Sequence, residues 1–319
     1  MRSMATLPSL PLLRLVVLLL LRSPGVKGTI FSIANDCGYT VWPGILSGAG
    51  TAELETTGFS LESGETRSLQ IPSSWSGRLW GRTHCSTDQN ADRFSCVTGD
   101  CGSGKTECAG GGAAPPATLA EFTLDGNGGM DFFDVSLVDG YNLPMIIAPT
   151  EAAGGTCSTT GCVANLNGVC PSDLRVILSE VGKQIVACRS ACEAFGTPEF
   201  CCSGAYGNPN TCKPSSYSRF FKKACPRAYS YAFDDATSTF TCPTGVDYVI
   251  TFCPNTRSKA AAESNPEAVG WPLINNTMMF MNPVISDAAE PTRLSATVTA
   301  AAAAVVSSGL WTLQRRWFF

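Results

Sequence analysis

Histidine is nearly absent from this chain: His84 is the only one in 319 residues. A Ser-His-Asp or Cys-His nucleophile system would have to rest on that imidazole, beside Cys85, and no G-x-S-x-G elbow supplies a serine. The same shortage removes structural zinc, whose sites repeat a short C-x-x-C or pair cysteine with histidine. The close cysteines here, Cys157 with Cys162 and the vicinal Cys201 and Cys202, do neither. His84 therefore reads as a turn or surface residue, and the chain as one with no metal and no cofactor. Basic charge is also scarce. Lys and Arg number 22 against 26 Asp and Glu, a formal net charge of −4 with no basic stripe, which argues against a nucleic-acid partner. Cations, sugars and basic surfaces remain. Long apolar runs are missing near the start: Leu15 to Leu21 falls far short of the roughly 18 residues of a membrane span. There are no internal repeats.

That short run, preceded by Arg2 and Arg14 and followed by the small residue Gly28, reads as an export signal over residues 1–28. Sixteen cysteines follow, all between Cys37 and Cys253. An even count confined to one stretch of an exported chain implies eight disulfides, each stabilising by about 2–4 kcal/mol, and no free thiolate. Spacing alone leaves the connectivity open, because sixteen cysteines allow roughly two million pairings.

Residues 29–254 fit a single, mainly β domain with a disulfide-rich appendage. Thr29 to Asn35 and Tyr39 to Trp42 are β-branched and aromatic runs bounded by turn signals, and read as strands. Alternation across Leu119 to Leu124 sets Ala120, Phe122 and Leu124 on one face and Glu121 on the other. Between about 157 and 225 the cysteines crowd together. There the spacing of Leu174, Ile177, Leu178, Val181 and Ile185, just after Pro171 and Ser172, predicts a helix, with Gly182 interrupting it. A second helix is expected over Ser215 to Ala224, burying Phe220 and Phe221. After Pro254 the chain turns to Ala, Ser, Pro and Asn, and carries a glycosylation sequon at Asn275. Residues 255–319 are expected to form a glycosylated stalk. Its end, Ala296 to Leu313 followed by Arg315 and Arg316, leaves three readings open: a lipid-anchor signal with small residues at Ser286 to Ala288, a weak membrane span, or a free extension.

The segments Trp80-Gly81-Arg82-Thr83-His84-Cys85, Cys96-Val97-Thr98-Gly99-Asp100-Cys101 and Asp131 to Pro144, with Leu119 to Phe122 and Tyr229 to Asp235, closely resemble the signature of the thaumatin-like, pathogenesis-related plant proteins. The resemblance runs from Thr29 to Pro254. It implies a flattened β-sandwich or barrel core, a disulfide-rich helical lobe, a small hairpin region, and a cleft between the first two. It also implies eight bridges: Cys37 with Cys253, Cys85 with Cys96, Cys101 with Cys108, Cys157 with Cys242, Cys162 with Cys225, Cys170 with Cys188, Cys192 with Cys201, and Cys202 with Cys212.

In that family an arginine and four carboxylates line the cleft, and their positions here hold Arg78, Glu121, Asp134, Asp139 and Asp235. Glycoside hydrolysis needs a carboxylic acid of raised pKa and a second carboxylate, a split that clustered acids near a cation can provide. Glu121 is the preferred acid and Asp139 the preferred second carboxylate. Asp134 and Asp139 are five apart, so they share a cleft only if the strand between them bends. Two positions depart from the pattern: Asp92 replaces a glycine, and Arg227 replaces an aspartate and adds positive charge near the Asp235 segment.

The implied function is a secreted, apoplastic, antifungal defence protein. It would act as a monomer that docks β-1,3-glucan or another cell-wall polysaccharide in the acidic cleft, with the fungal membrane as a second target. A weak endo-β-1,3-glucanase and an enzyme inhibitor or receptor-like surface protein are the alternatives.

Overall fold

Alternation builds the sheets of the computed structural model, which describes residues 28–151, 155–178 and 184–254. The leader, Asn275, Ser286 to Ala288 and Ala296 to Leu313 lie outside the described residues. In β1 (Thr29–Asn35), Thr29, Phe31, Ile33 and Asn35 are buried while the residues between them are partly exposed. That period of two marks a half-covered strand. β1 lies between β3 (Thr66–Ile71), antiparallel to it, and β13 (Tyr248–Phe252), parallel to it. β8 (Met145–Pro149) and β9 (Thr160–Cys162) complete the order β3-β1-β13-β8-β9.

The second sheet runs β12 (Phe240–Pro243), β7 (Met130–Ser136), β6 (Leu119–Thr123), β4 (Ser76–Asp88) and β2 (Trp42–Ser47), all antiparallel. The far end of the long β4 forms a hairpin with β5 (Arg93–Thr98), tied by Cys85–Cys96. Inward-facing rings fill the space between the sheets. Phe31 meets Phe122 at 4.3 Å between centroids, and Tyr248 packs on Phe122 at 5.3 Å and Phe133 at 5.1 Å. Burying one such ring contributes about 1.5–3 kcal/mol by area, and each aromatic pair adds about 0.5–1.5. Trp75, Leu79 and Val135 close the cluster.

The described residues hold eight disulfides, pairing the cysteines as the resemblance implies. Cys37–Cys253 ties the end of β1 to the end of β13, and Cys202 takes a left-handed backbone, φ 50°, so that vicinal Cys201 and Cys202 reach different partners.

The lobe corrects one sequence expectation. No helix covers Leu174 to Ile185 among the described residues: a 3-10 turn over Ser172–Leu174 leads into β10 (Arg175–Ile177), which pairs antiparallel with β11 (Ile185–Cys188). A helix from 174 to 185 would carry the chain about 16 Å at about 1.5 Å per residue. The Cys170–Cys188 bridge instead holds its Cα atoms 5.7 Å apart, which favours a returning hairpin, and β-branched Val176, Ile177, Ile185 and Val186 suit a pleated strand. Leu174 is buried, whereas Ile177 and Leu178 stand exposed, so these positions do not share one face.

The lobe's helices are short: α1 (Ala191–Phe195), α2 (Pro198–Cys201), and α3 (Ser216–Ala224). α3 is the second expected helix, N-capped by the Ser215 hydroxyl, with Phe221 buried and Phe220 packed partly against the core. One further turn, α4 (Asp235–Ser238), precedes β12.

Candidate functional site

Three neighbouring strands present one lateral row. In the ladder Arg78 on β4 stands opposite Glu121 on β6, and Glu121 stands opposite Asp134 on β7. Their ladder neighbours Leu79, Ala120 and Val135 point the other way, into the core, at 0–1% exposure. Side chains directly opposite in a sheet sit about 4.5–5.5 Å apart at Cβ, so the row sets a cation beside two carboxylates. The like-charged pair Glu121 and Asp134 is repulsive by itself, and Arg78 offsets it.

Asp139 joins the row because the chain bends after β7. Gly140 adopts φ 84°, its N–H donates to Leu137 O at 3.1 Å, and the Asp139 carbonyl accepts from Ala117 N at 3.0 Å. A Cβ on Gly140 would stand 2.6 Å from Pro116 Cβ and 2.8 Å from Cys188 O, so the turn has room for glycine alone. The bend brings Asp139 Oδ2 to 3.9 Å from Arg78 Nη1. Burial pushes the Asp139 carboxyl up, and Arg78 pulls it part of the way back.

Asp235 enters through Tyr229. The backbone of Tyr229 docks beside the end of β7, its N–H donating to Val135 O at 2.9 Å and its carbonyl accepting from Leu137 N at 2.8 Å. From there its hydroxyl donates to Asp235 Oδ1 at 2.8 Å. The phenol is pushed well above its ordinary value, by burial first, then by the charges of Asp134 and Asp235. Tyr229 is thus the link between the row and Asp235. Its signal lay in the Tyr229 to Asp235 motif, but no spacing rule assigns it this role. Neighbouring Asp234 belongs to the scaffold, ion-paired with Lys222 at 3.0 Å and accepting from Ser230 N at 3.0 Å and Ser230 Oγ at 2.9 Å.

A further carboxyl comes from the lobe. Glu193 sits in the first turn of α1, where Ser190 caps the helix by accepting from Glu193 N at 3.1 Å. Glu193 Oε1 pairs with Arg189 at 3.6 Å, while its Oε2 is buried with no hydrogen-bond partner among the described residues. Burial pushes its carboxyl up to about 7, Arg189 opposing and the Asp139 charge adding. Sequence reading missed Glu193, which lies among the lobe cysteines and outside the quoted signature.

The two departures from the family pattern have physical readings. Asp92 takes a left-handed backbone, φ 47°, a conformation that glycine adopts freely and aspartate tolerates better than most residues. Arg227 is buried, donates from Nη2 to Ser158 Oγ at 2.6 Å, and lies 4.2 Å over the Phe240 ring. His84 is exposed near the far end of β4. Among the described residues no group of three His, Cys, Asp or Glu converges to hold a metal, and no helix is long and apolar enough to cross a membrane.

Chemically, the arrangement offers carboxylate acceptors for hydroxyl groups, one guanidinium donor, and in Asp139 and Glu193 two carboxyls of raised pKa. The thaumatin family model matches residues 35–254. Thaumatin-like protein 1 of Arabidopsis thaliana is 57% identical over 72% of this chain and 88% of its own length. A glucan endo-1,3-beta-glucosidase of Prunus avium is 51% identical over 72% of this chain and 92% of its own. A PR5-like receptor kinase of Arabidopsis thaliana is 54% identical over 75% of this chain, which spans 36% of that protein.

Proposed function

We propose, from the premise that the chain belongs to the thaumatin family, that it is a secreted, antifungal defence protein docking fungal cell-wall β-1,3-glucan against Arg78, Glu121, Asp134, Asp139 and Asp235. The observation that carries this reading is the row Arg78, Glu121 and Asp134 on adjacent strands, closed by the Asp139 turn. A glucan is uncharged and rich in hydroxyl donors, and ordered carboxylates accept from hydroxyls in charge-assisted bonds about twice as strong as neutral ones. A rigid sheet fixes the acceptors in advance, which lowers the ordering cost of binding. The test is glucan pull-down with the natively secreted protein and its Asp134→Asn and Asp139→Asn variants. Binding should fall in both, and undiminished binding by both would overturn the cleft as the site.

Hydrolysis is a second reading, favoured by Glu193, whose carboxyl holds its proton to about pH 7 near Asp139. A proton donor beside an ionised partner is what leaving-group protonation needs. The Prunus avium relative's name points the same way. Glu121→Gln and Glu193→Gln, assayed for reducing ends released from laminarin, separate the two donors: the true acid loses activity while keeping affinity. Inhibition of a xylanase or amylase, with no glucan retained, would support instead an inhibitor or receptor-like role. Membrane attachment through the residues after Pro254 is proposed separately; release by phosphatidylinositol-specific phospholipase would support a lipid anchor.

A further inference from the structure

A groove of about 670 Å³ opens at the far end of β4, within the roughly 300–1,000 Å³ range of small-molecule sites. His84 lies six residues beyond Arg78 on the same strand, roughly 20 Å at about 3.3 Å per residue, so this groove and the acidic cleft are separate places. Their chemistry differs as well. Among the described residues lining the groove, none is Asp, Glu, Lys or Arg.

What lines it instead is aromatic and amide. Tyr39 is 48% exposed. Trp42 is half-buried, its ring 6.0 Å from that of Phe94 and its carbonyl accepting from Arg82 Nε at 2.9 Å, so the indole is held in place. Asn167 donates from Nδ2 to Asn142 O at 2.9 Å and Val186 O at 3.0 Å, its Oδ1 is buried, and its N–H donates to Oδ1 of the exposed Asn165 at 3.2 Å, which fixes that amide at the groove wall. Asn142 is anchored in turn, donating to Gly81 O at 2.7 Å and Thr98 Oγ1 at 2.9 Å. His84 reaches the groove from a left-handed backbone, φ 53°, a conformation uncommon outside glycine that is found disproportionately at ligand sites. Partial desolvation in the groove holds the His84 imidazole below its ordinary value, and the neutral ring offers one donor and one acceptor.

We propose that this groove is a second carbohydrate site, which takes a neutral oligosaccharide by stacking a sugar ring on Tyr39 and Trp42 and bonding its hydroxyls to His84 and Asn165. A sugar ring joins a flat face of C–H groups to a rim of hydroxyls, and the groove joins two aromatic rings to fixed amide and imidazole groups. An ionic ligand would meet no counter-charge among the described lining residues. A purely apolar one would leave the polar wall desolvated without partners, at a penalty of about 1–3 kcal/mol per group. The site stands apart from the cleft reading and does not depend on it.

Because the chain has one histidine, its imidazole C–H resonances report on this groove alone. The full secreted protein should be titrated with laminarihexaose and cellohexaose, and with oligogalacturonate as the charged control. At least one neutral oligosaccharide should shift the His84 signals to saturation, and the charged one should not. Tyr39→Ala should weaken that response roughly tenfold, the loss of one good aromatic contact. His84→Asn, which tolerates the left-handed backbone, should weaken calorimetric binding. Asp139→Asn should leave the His84 response in place, so a failure of the cleft reading is seen separately in glucan pull-down. The proposal is overturned by silence of His84 toward both neutral sugars at millimolar concentration, or by an equal response to oligogalacturonate. It is also overturned if the response disappears in Asp139→Asn, or if affinity is retained in folded Tyr39→Ala and His84→Asn together.

Discussion

The sandwich and the lobe hold their shapes by different means. In the sandwich, Phe31, Phe122, Phe133 and Tyr248 form one contiguous buried cluster, and the ladder fixes which residues stand side by side. In the lobe the helices run four to nine residues, too short to persist unaided, and Cys192–Cys201, Cys202–Cys212 and Cys162–Cys225 anchor them. The candidate cleft draws on both. Arg78, Glu121 and Asp134 are placed by the sheet, whereas Glu193 is placed by a capped, cross-linked turn.

Reduction should break this comparison most sharply. The secreted protein should show no free thiol by intact mass, and full reduction should unfold it, as loss of backbone circular dichroism would record. A reduced chain keeping its β spectrum would mean that the sandwich core suffices alone. Next in size, Phe122→Ala should destabilise by about 3–5 kcal/mol in a denaturant titration. Ile177→Ala, half exposed on the lobe, should change stability by about 0.5 kcal/mol or less.

Gly140→Ala probes the joint between the regions. The left-handed turn and its contact with Cys188 O predict a loss of about 1–3 kcal/mol, accompanied by weaker glucan retention as Asp139 moves from Arg78. Stability lost with glucan retention unchanged would detach the turn from the site.

The smallest effect is a pH slope. The Glu193 carboxyl is raised from 4.5 to about 7, so between these values the folded chain binds the proton that the unfolded chain has released. Stability must therefore fall as pH rises through this window and level off above it. Screening of a half-buried group limits the change to about 1 kcal/mol. Glu193→Gln should flatten its share of the slope, leaving that of Asp139, which has the same sign.

The sandwich portion was legible because alternation is a local signal: Ala120, Phe122 and Leu124 inward and Glu121 outward follow from strand parity alone. Asp139 needed the family resemblance, since parity opposed it until Gly140 bent the chain. The lobe was misread at Leu174 to Ile185 because apolar spacing there carries no trace of a bridge between Cys170 and Cys188. Glu193 was invisible for a related reason. Its neighbour Asp139 is distant in sequence, and the Asp139–Gly140 turn meets the Cys188–Ser190 segment only once the fold is formed.

The parallel pairing of β1 with β13 also dictates timing. Ribosomal synthesis delivers β1 early, yet one of its two edges stays open until Tyr248 to Phe252 emerge. The sheet therefore cannot close until most of the chain has been made, and the nascent Phe31 and Ile33 strand needs shielding from other strands in the meantime. Cys37 and Cys253 flank that pairing, so their bridge holds β13 against β1 once the two strands lie side by side.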